Sequence, residues 1–148
     1  VIKEIGMARR LNLSTWNVLV VDDDPPSVSL IKEVFARYKA NMFTAESGIE
    51  ALYQLEQMPH PTVVLCDVWM PHMDGYILLE KMRSLSSLSG VPIIAVTAQA
   101  MLGDRERILA AGFDGYISKP FMVETFVYEV VMITHIKKST LVVRSDCF

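Results

Sequence analysis

Apolar runs alternate along the chain with segments in which apolar residues recur every three or four positions. Short apolar runs bounded by turn-forming residues are typical of strands, and the second spacing is typical of helices. The runs predict strands over residues 18–21, 41–45, 62–66, 92–96 and 115–118. Helices are predicted to begin at Pro25 and after Ser47, and to cover residues 75–85, 102–111 and 121–136. This alternation predicts an α/β fold in which crossover helices join parallel strands.

Several turn and cap signals agree with these elements. Asp24 precedes Pro25 and is predicted to cap the first helix, while Ser47 and Glu50 form a capping-box pattern before the second. Gly112 is a natural stop for the fourth helix. The first, third and fourth strands are continuous apolar runs, which is typical of strands buried on both faces of a doubly wound sheet.

The composition is that of one globular domain with two short flanks. The 148 residues are 51% hydrophobic and 21% charged, with a net charge of −3, which gives no support to a nucleic-acid-binding surface. The longest apolar stretches fall short of the roughly 20 residues that a membrane helix needs, and two cysteines favour a reducing, cytoplasmic compartment. We assign residues 16–137 to the domain, 1–15 to an N-terminal extension that we consider a short helix, and 138–148 to a C-terminal tail. Within the tail, residues 141–143 fit an edge strand.

The informative polar residues directly follow the predicted strands. They are Asp22, Asp23 and Asp24 after the first strand, Asp67 after the third, Thr97 after the fourth and Lys119 after the fifth. The carboxyl ends of parallel strands lie along one edge of the sheet, where ligands bind in such folds. We therefore expect carboxylates, a hydroxyl and an ammonium group to meet there, although they are distant in sequence.

Clustered carboxylates repel one another unless a cation compensates them. Mg2+ prefers oxygen ligands and retains waters that phosphate oxygens can replace. Asp22, Asp23 and Asp67 together carry three negative charges, which one Mg2+ ion and Lys119 would balance. A carboxylate can act as a nucleophile and form an aspartyl phosphate, so the residues favour phosphoryl-transfer chemistry.

The chain resembles the receiver domain of two-component response regulators, of the single-domain or hybrid-kinase type. The resemblance covers roughly residues 16–136 and rests on four motifs in order, which are Val-Val-Asp22-Asp23-Asp24, Leu-Cys-Asp67-Val-Trp-Met-Pro71-His-Met-Asp74-Gly75, Ala-Val-Thr97-Ala98 and Tyr116-Ile-Ser-Lys119-Pro120. It implies a flavodoxin-like (βα)5 fold with a five-stranded parallel sheet in the order 2-1-3-4-5.

The resemblance also implies roles for the acidic residues and their neighbours. Asp67 would accept the phosphoryl group, and Mg2+ would be bound directly by Asp23, Asp67 and the backbone carbonyl of Trp69. Asp22 would act mostly through metal-bound water. Trp69 is bulky for its position, and our hypothesis is that its side chain shields the acyl phosphate from hydrolysis.

A second group of implied roles concerns switching. Lys119 would contact the phosphoryl group and the acceptor carboxylate, and Thr97 would move to hydrogen-bond a phosphoryl oxygen. Tyr116 matches the aromatic residue that turns inward together with Thr97. A cis peptide bond is implied before Pro120.

The expected partners are proteins. The donor would be a histidine kinase or a histidine phosphotransfer protein, and phosphorylation would alter binding of a downstream protein. We expect no nucleic-acid or membrane partner and a monomer or weak homodimer. The chain would catalyse only its own phosphorylation and dephosphorylation, so we do not class it as an enzyme.

Two alternatives remain at this point. In a haloacid-dehalogenase-like phosphatase, Asp22 and Asp24 would supply an Asp-x-Asp pair, but Asp67 would have no role and no acidic residues directly follow Lys119. The other alternative is a degenerate receiver that acts only as an interaction module, against which the intact acidic set argues.

Overall fold

A computed structural model describes residues 11–99 and 101–146 of the chain. The described part contains five strands, five α-helices and one 3-10 turn. The strands are β1 (Asn17–Val21), β2 (Asn41–Ala45), β3 (Val63–Cys66), β4 (Ile93–Thr97) and β5 (Gly115–Ser118). The helices are α1 (Pro25–Ala36), α2 (Gly48–Gln57), α3 (Gly75–Arg83), α4 (Asp104–Ala111) and α5 (Val123–Asp146), and the 3-10 turn covers Ser86–Leu88.

The five strands form one parallel sheet in the order β2-β1-β3-β4-β5. This confirms the predicted doubly wound, flavodoxin-like α/β fold and its strand order. The sheet places β1 and β3 side by side at its centre, with Val21 opposite Cys66 at the ends of the two strands. The residues that follow these strands are therefore neighbours.

Two apolar layers cover the faces of the sheet. Successive side chains of a strand point to opposite faces, so Leu19 packs in one layer and Val20 in the other. Helices α2, α3 and α4 cover the Leu19 face, and α1 and α5 cover the Val20 face. Phe35 of α1 and Phe126 of α5 are fully buried and meet edge to face with ring centroids 6.0 Å apart.

The local cap signals are mostly confirmed. Ser47 Oγ accepts a hydrogen bond from Glu50 N, while the Glu50 carboxylate accepts from the amide of Glu46 rather than that of Ser47. Gly112 ends α4 with a φ of 117°. Asp24 occupies the N-cap position of α1, but its carboxylate makes no cap bond to the backbone and accepts from the Ser27 hydroxyl at 2.7 Å.

Two predicted elements differ most from the structure. Helix α4 begins at Asp104 rather than at residue 102, because Gly103 adopts a left-handed φ of 88° that interrupts the helix. Residues 141–143 belong to α5 and do not form an edge strand. The helix continues to Asp146 because no glycine or proline interrupts it after residue 123.

The flanks contribute two further observations. Residues 11–15 are not helical, and Leu13 is buried in the same apolar layer as α1 and α5. The remainder of the short helix that we considered for residues 1–15 lies outside the described residues. None of the helices in the described ranges combines the length and apolar character that crossing a membrane requires.

Candidate functional site at the carboxyl edge of the sheet

The backbone hydrogen bonds of the sheet bring the predicted site residues together. Asp67 N donates to Val21 O at 2.9 Å, and Lys119 N donates to Thr97 O at 2.9 Å. These bonds extend two parallel ladders by one residue, so the residues that follow β1 and β3 start from adjacent positions, and Lys119 starts beside Thr97 at the end of β4. The expected convergence at the carboxyl edge is present in the structure.

Lys119 bridges two of the carboxylates. Its Nζ lies 2.5 Å from Asp22 Oδ2 and 3.3 Å from Asp67 Oδ2. Both carboxylates are buried, and only 15% of the Lys119 side chain is exposed. An ion pair shielded from water in this way interacts more strongly than a surface pair. The lysine therefore links the side chains of the residues that follow β1 and β3.

Burial and pairing act in opposite directions on the protonation of this pair. Burial raises the pKa of the Asp22 carboxyl, and its hydrogen bonds with Lys119 and with the Asp24 amide offset this only in part. Burial alone would lower the pKa of the Lys119 ammonium, but its bond to Asp22 and the charge of Asp67 outweigh that effect and raise the pKa. The ammonium is therefore the form that the site stabilises.

Asp22, Asp23 and Asp67 form an acidic cluster that fits a metal ion. Each supplies one carboxylate oxygen, and these oxygens lie within 4.8 Å of one another, with Asp23 exposed to solvent and the other two buried. With all three ionised, the cluster and Lys119 together carry two negative charges. A divalent cation with oxygen ligands matches both the charge and the donor set.

The loop after β3 holds the Asp67 carboxylate from the other side. The backbone N–H of Trp69 donates to Asp67 Oδ1 at 3.1 Å, while Oδ2 faces Lys119. Asp74 caps α3 by accepting from Ile77 N at 3.0 Å, and Gly75 N donates to Val68 O at 2.8 Å. The carboxylate is thus oriented by a backbone amide and by an ammonium group.

Thr97 lies at the same edge but is fully buried, and its Oγ1 accepts a hydrogen bond from Gln99 N at 3.2 Å. The hydroxyl of Tyr116 donates to the backbone carbonyl of Gln99 at 2.8 Å. Thr97 and Tyr116 are therefore tied to the same residue of the loop between β4 and α4. The expected cis peptide bond between Lys119 and Pro120 is present.

Asp104, which the sequence patterns did not indicate, organises this loop. The side chain of Asp104 is 5% exposed, and it accepts hydrogen bonds from Met101 N at 2.6 Å and from Gln99 Nε2 at 3.2 Å. A glycine and an aspartate directly before the helical pattern of α4 were the available signal, since an aspartate at a helix start often bonds to nearby amides. Asp24, by contrast, lies outside the acidic cluster.

Exposed apolar side chains lie in the loops at the carboxyl edge of the sheet. Trp69 is 66% exposed, Met101 is 80% exposed, and Leu102 and Met122 are also exposed. They belong to the loops that follow β3, β4 and β5, which are the loops that carry the site residues. Large apolar side chains in such positions are typical of protein contact surfaces.

The sequence matches a known protein family. Residues 18–135 match the family model of the response regulator receiver domain. The chain belongs to the response regulator receiver family. It is a receiver domain of two-component signalling, which implies a histidine kinase or phosphotransfer protein as its partner. The site geometry and this membership do not favour the phosphatase alternative, in which Asp67 would have no role.

Relatives of this receiver domain include free-standing regulators and a kinase-linked domain. The polar-differentiation response regulator DivK of Brucella ovis is 34% identical over 113 residues, which cover 76% of this chain and 91% of DivK. The receiver region of the histidine-protein kinase BarA of Escherichia coli is 36% identical over 107 residues, which cover 72% of this chain but 12% of the kinase.

Solved structures agree with this assignment. A response regulator from Chloroflexus aurantiacus superposes with a TM-score of 0.75 at 32% identity, covering 81% of this chain and 98% of that one. The chemotaxis protein CheY4 of Vibrio cholerae superposes with a TM-score of 0.73 at 26% identity, covering 80% and 98% of the two chains. The domain limits of 16 and 137 stay predictions.

Proposed function

We propose that this receiver domain accepts a phosphoryl group on Asp67 from a phosphohistidine of a partner protein. One oxygen of Asp67 forms a bond to phosphorus while the bond from phosphorus to the donor's ring nitrogen breaks, and the electron pair returns to the ring. The observation that carries the proposal is the position of Lys119, whose ammonium lies between Asp67 and the buried carboxylate of Asp22. Phosphoryl transfer depends mainly on positioning and charge neutralisation, and this arrangement supplies both.

We further propose that the acidic cluster holds Mg2+. Asp23 and Asp67 would be direct ligands together with the backbone carbonyl of Trp69, and Asp22 would act mostly through a bound water. The bound ion would neutralise negative charge on the phosphoryl oxygens and on the carboxylates. The spacing and charge of the three aspartates support this proposal.

Three residues of the chain have proposed roles during and after transfer. Lys119 neutralises the phosphoryl group and the acceptor, Thr97 donates a hydrogen bond to a phosphoryl oxygen, and Tyr116 follows the movement of Thr97. Their shared attachment to Gln99 supports a coupled movement, because displacement of the loop changes both contacts. The movement would alter the surface near α4 and β5 and hence the affinity for a downstream protein.

The exposed apolar side chains of the loops after β3, β4 and β5 support the proposal that the phosphoryl donor is a protein. Trp69, Met101 and Met122 lie in the loops at the carboxyl edge of the sheet and offer exposed apolar contact area to a partner helix or loop. The catalytic capacity that we propose is limited to phosphorylation and dephosphorylation of the chain itself. The cytoplasmic location and the monomeric or weakly dimeric state stay predictions.

The test is labelling with acetyl phosphate, a small donor that removes the need to know the kinase. Wild-type protein should take up close to one phosphoryl group per chain when Mg2+ is present and none when it is chelated. The Asp67→Asn variant should take up none, while Asp24→Asn should behave like the wild type because Asp24 lies outside the acidic cluster. Equal labelling of Asp67→Asn and wild type would contradict the proposed function.

A further inference from the structure

Helices α2 and α3, on the Leu19 side of the sheet, expose apolar side chains to solvent. Ile49 and Tyr53 are exposed on α2, and they lie one helical turn apart. Ile77 is exposed on the first turns of α3, and Leu85 is exposed two residues after the helix ends. We call the surface that these four side chains form the α2–α3 face. Exposed apolar side chains that cluster in this way are typical of contact surfaces.

A groove of about 380 Å³ lies between the two helices. Its walls include Leu52, Leu55 and Glu56 of α2, together with Lys81 of α3 and Leu85. A cavity of about 150 Å³ lined by apolar side chains is enough to bind benzene, so this groove has room for a phenol ring. The leucines would contact the ring, and the two charged groups offer hydrogen bonds to its hydroxyl. The groove therefore fits an aromatic side chain with a polar tip.

The α2–α3 face carries such a side chain itself. Tyr53 is 63% exposed and is not among the residues that line the groove of its own chain. A two-fold axis places the same surface patch of two chains against each other. The tyrosine of each chain can then enter the groove of the other. Aromatic side chains that fill pockets supply much of the binding energy of protein interfaces.

The charges of the face are also self-complementary. The charged residues of α2 are both acidic, Glu50 and Glu56, whereas the charge that α3 contributes to the groove is that of Lys81. Within the described ranges, neither Glu56 nor Lys81 forms an ion pair. When α2 of one copy lies against α3 of another, Glu56 meets the partner's Lys81. The two-fold axis forms the same pair a second time.

The chain's own ends lie on the other side of the sheet. Leu13, near the beginning of the described residues, is buried in the layer of α1 and α5, and α5 is the last described element. The α2–α3 face covers the opposite layer, which contains Leu19. This placement favours a second copy of the protein over the chain's own terminal segments as the occupant of the groove.

We propose that the α2–α3 face is the interface of a two-fold homodimer. Tyr53 of each chain fills the groove of the other, and Glu56 pairs with the partner's Lys81. Crossover helices run opposite to the strands of a parallel sheet, so the groove, at the carboxyl ends of α2 and α3, lies toward the amino edge of the sheet. Asp67 lies at the carboxyl edge. The dimer therefore leaves the phosphoryl acceptor accessible and does not depend on its proposed function.

Sedimentation velocity over a range of protein concentrations measures the association. A contact made by two helices of each chain is small, so we expect a dissociation constant of about 0.1 mM. Glu56→Lys and Lys81→Glu should each weaken association about tenfold, because two attractive pairs become repulsive. An equimolar mixture of these two variants should associate as wild type does, since each chain then offers the charge that the other requires. Tyr53→Ala should lose association.

Glu80→Lys is the matched control for the charge variants. Glu80 is exposed on α3, but it lies on the side that faces the segment between α4 and β5, where its helix neighbours Tyr76 and Arg83 contact Phe113 and Asp114. This variant should associate as wild type does. All of the changed side chains are exposed, so the thermal midpoints should stay near that of wild type.

Three results would each overturn the homodimer. They are a wild-type protein that stays monomeric, association that Tyr53→Ala leaves unchanged, and a mixture of the two charge variants that stays monomeric. A monomeric wild type in which Ile5→Ser shifts the amide resonances of Leu52 and Leu85 would instead assign the groove to the chain's own N-terminal segment. Tyr53→Ala should take up label from acetyl phosphate as wild type does, so failure of the dimer and failure of phosphorylation are separate results.

Discussion

Replacing Gly75 by alanine should displace the acceptor loop, because the first turn of α3 lies directly against its backbone. A Cβ atom at Gly75 would lie 2.5 Å from the carbonyl oxygen of Asp67 and 2.7 Å from Cα of Val68. Ordinary contacts of a Cβ atom are 3.4–4 Å long. Both atoms belong to the backbone, so no side-chain rotation relieves the overlap. Either α3 or the segment that carries Asp67 must move.

The expected cost follows from two opposing terms. Forced overpacking costs about 1–3 kcal/mol. Alanine restricts the unfolded chain more than glycine does, which returns about 0.4–1 kcal/mol. We therefore expect a net destabilisation of about 1–2 kcal/mol, which for a domain of this size lowers the thermal midpoint by roughly 2–8 °C.

Gly48→Ala is the matched control, since Gly48 also begins a helix and is also crowded. Its added Cβ would lie 2.5 Å from Sδ of Met73, which is the flexible end of a side chain and can rotate away. Thermal unfolding and the Mg2+ affinity, followed by Trp69 fluorescence, should change in Gly75→Ala and stay near wild type in Gly48→Ala. A Gly75→Ala variant that matches wild type in both measurements would show that α3 and the loop tolerate the added Cβ atom without moving.

Three further variants test individual side chains. Trp69→Asn should shorten the lifetime of the aspartyl phosphate because it removes the exposed ring beside the acceptor, and an unchanged dephosphorylation rate would exclude shielding. Tyr116→Phe loses the hydroxyl bond to the Gln99 carbonyl and should cost about 1 kcal/mol in urea unfolding, whereas a neutral result would show that this bond contributes nothing. The third is Asp22→Asn in metal-free protein. Burial raises the folded-state pKa of Asp22 above 3.8, so the stability that this group contributes falls as the pH rises from 3.8 through that pKa. The unfolding free energy of Asp22→Asn should therefore increase relative to that of wild type as the pH rises. A difference that does not change with pH would contradict a raised pKa for Asp22 in the folded protein.

The main features of the site could be predicted because they depend on the topology of the sheet rather than on the conformation of the loops. In a parallel sheet the end of each strand reaches the same edge, so Asp22, Asp67 and Lys119 had to meet once the strands were recognised. The strands themselves were recognisable because continuous apolar runs of four or five residues fit few other structures.

Features that depend on loop conformation could not be predicted in the same way. The bond between Gln99 and Asp104 exists because Gly103 turns the chain with a positive φ, which shortens α4 by two residues and directs Asp104 back into the loop. Propensity alone does not distinguish this turn from a longer helix. The bonds from Asp114 to Arg83 and Lys137 likewise join elements far apart in sequence, which residue spacing cannot reveal.

The misassigned residues 141–143 show a different limitation. A short run of leucine and valine fits a strand and a helix equally well when only a few residues are considered. The preceding 18 helical residues decide the matter, because continuing a helix adds one hydrogen bond per residue whereas starting a strand at the edge needs a new partner.

The most direct test identifies the residue that carries the phosphoryl group. Borohydride reduces an aspartyl phosphate to homoserine, so peptides from protein treated with acetyl phosphate and Mg2+ and then reduced can be sequenced by mass spectrometry. We predict homoserine at position 67 and unmodified aspartate at positions 22, 23 and 24. Homoserine at position 22 or 23, or unmodified Asp67 in protein that carries label, would contradict the account.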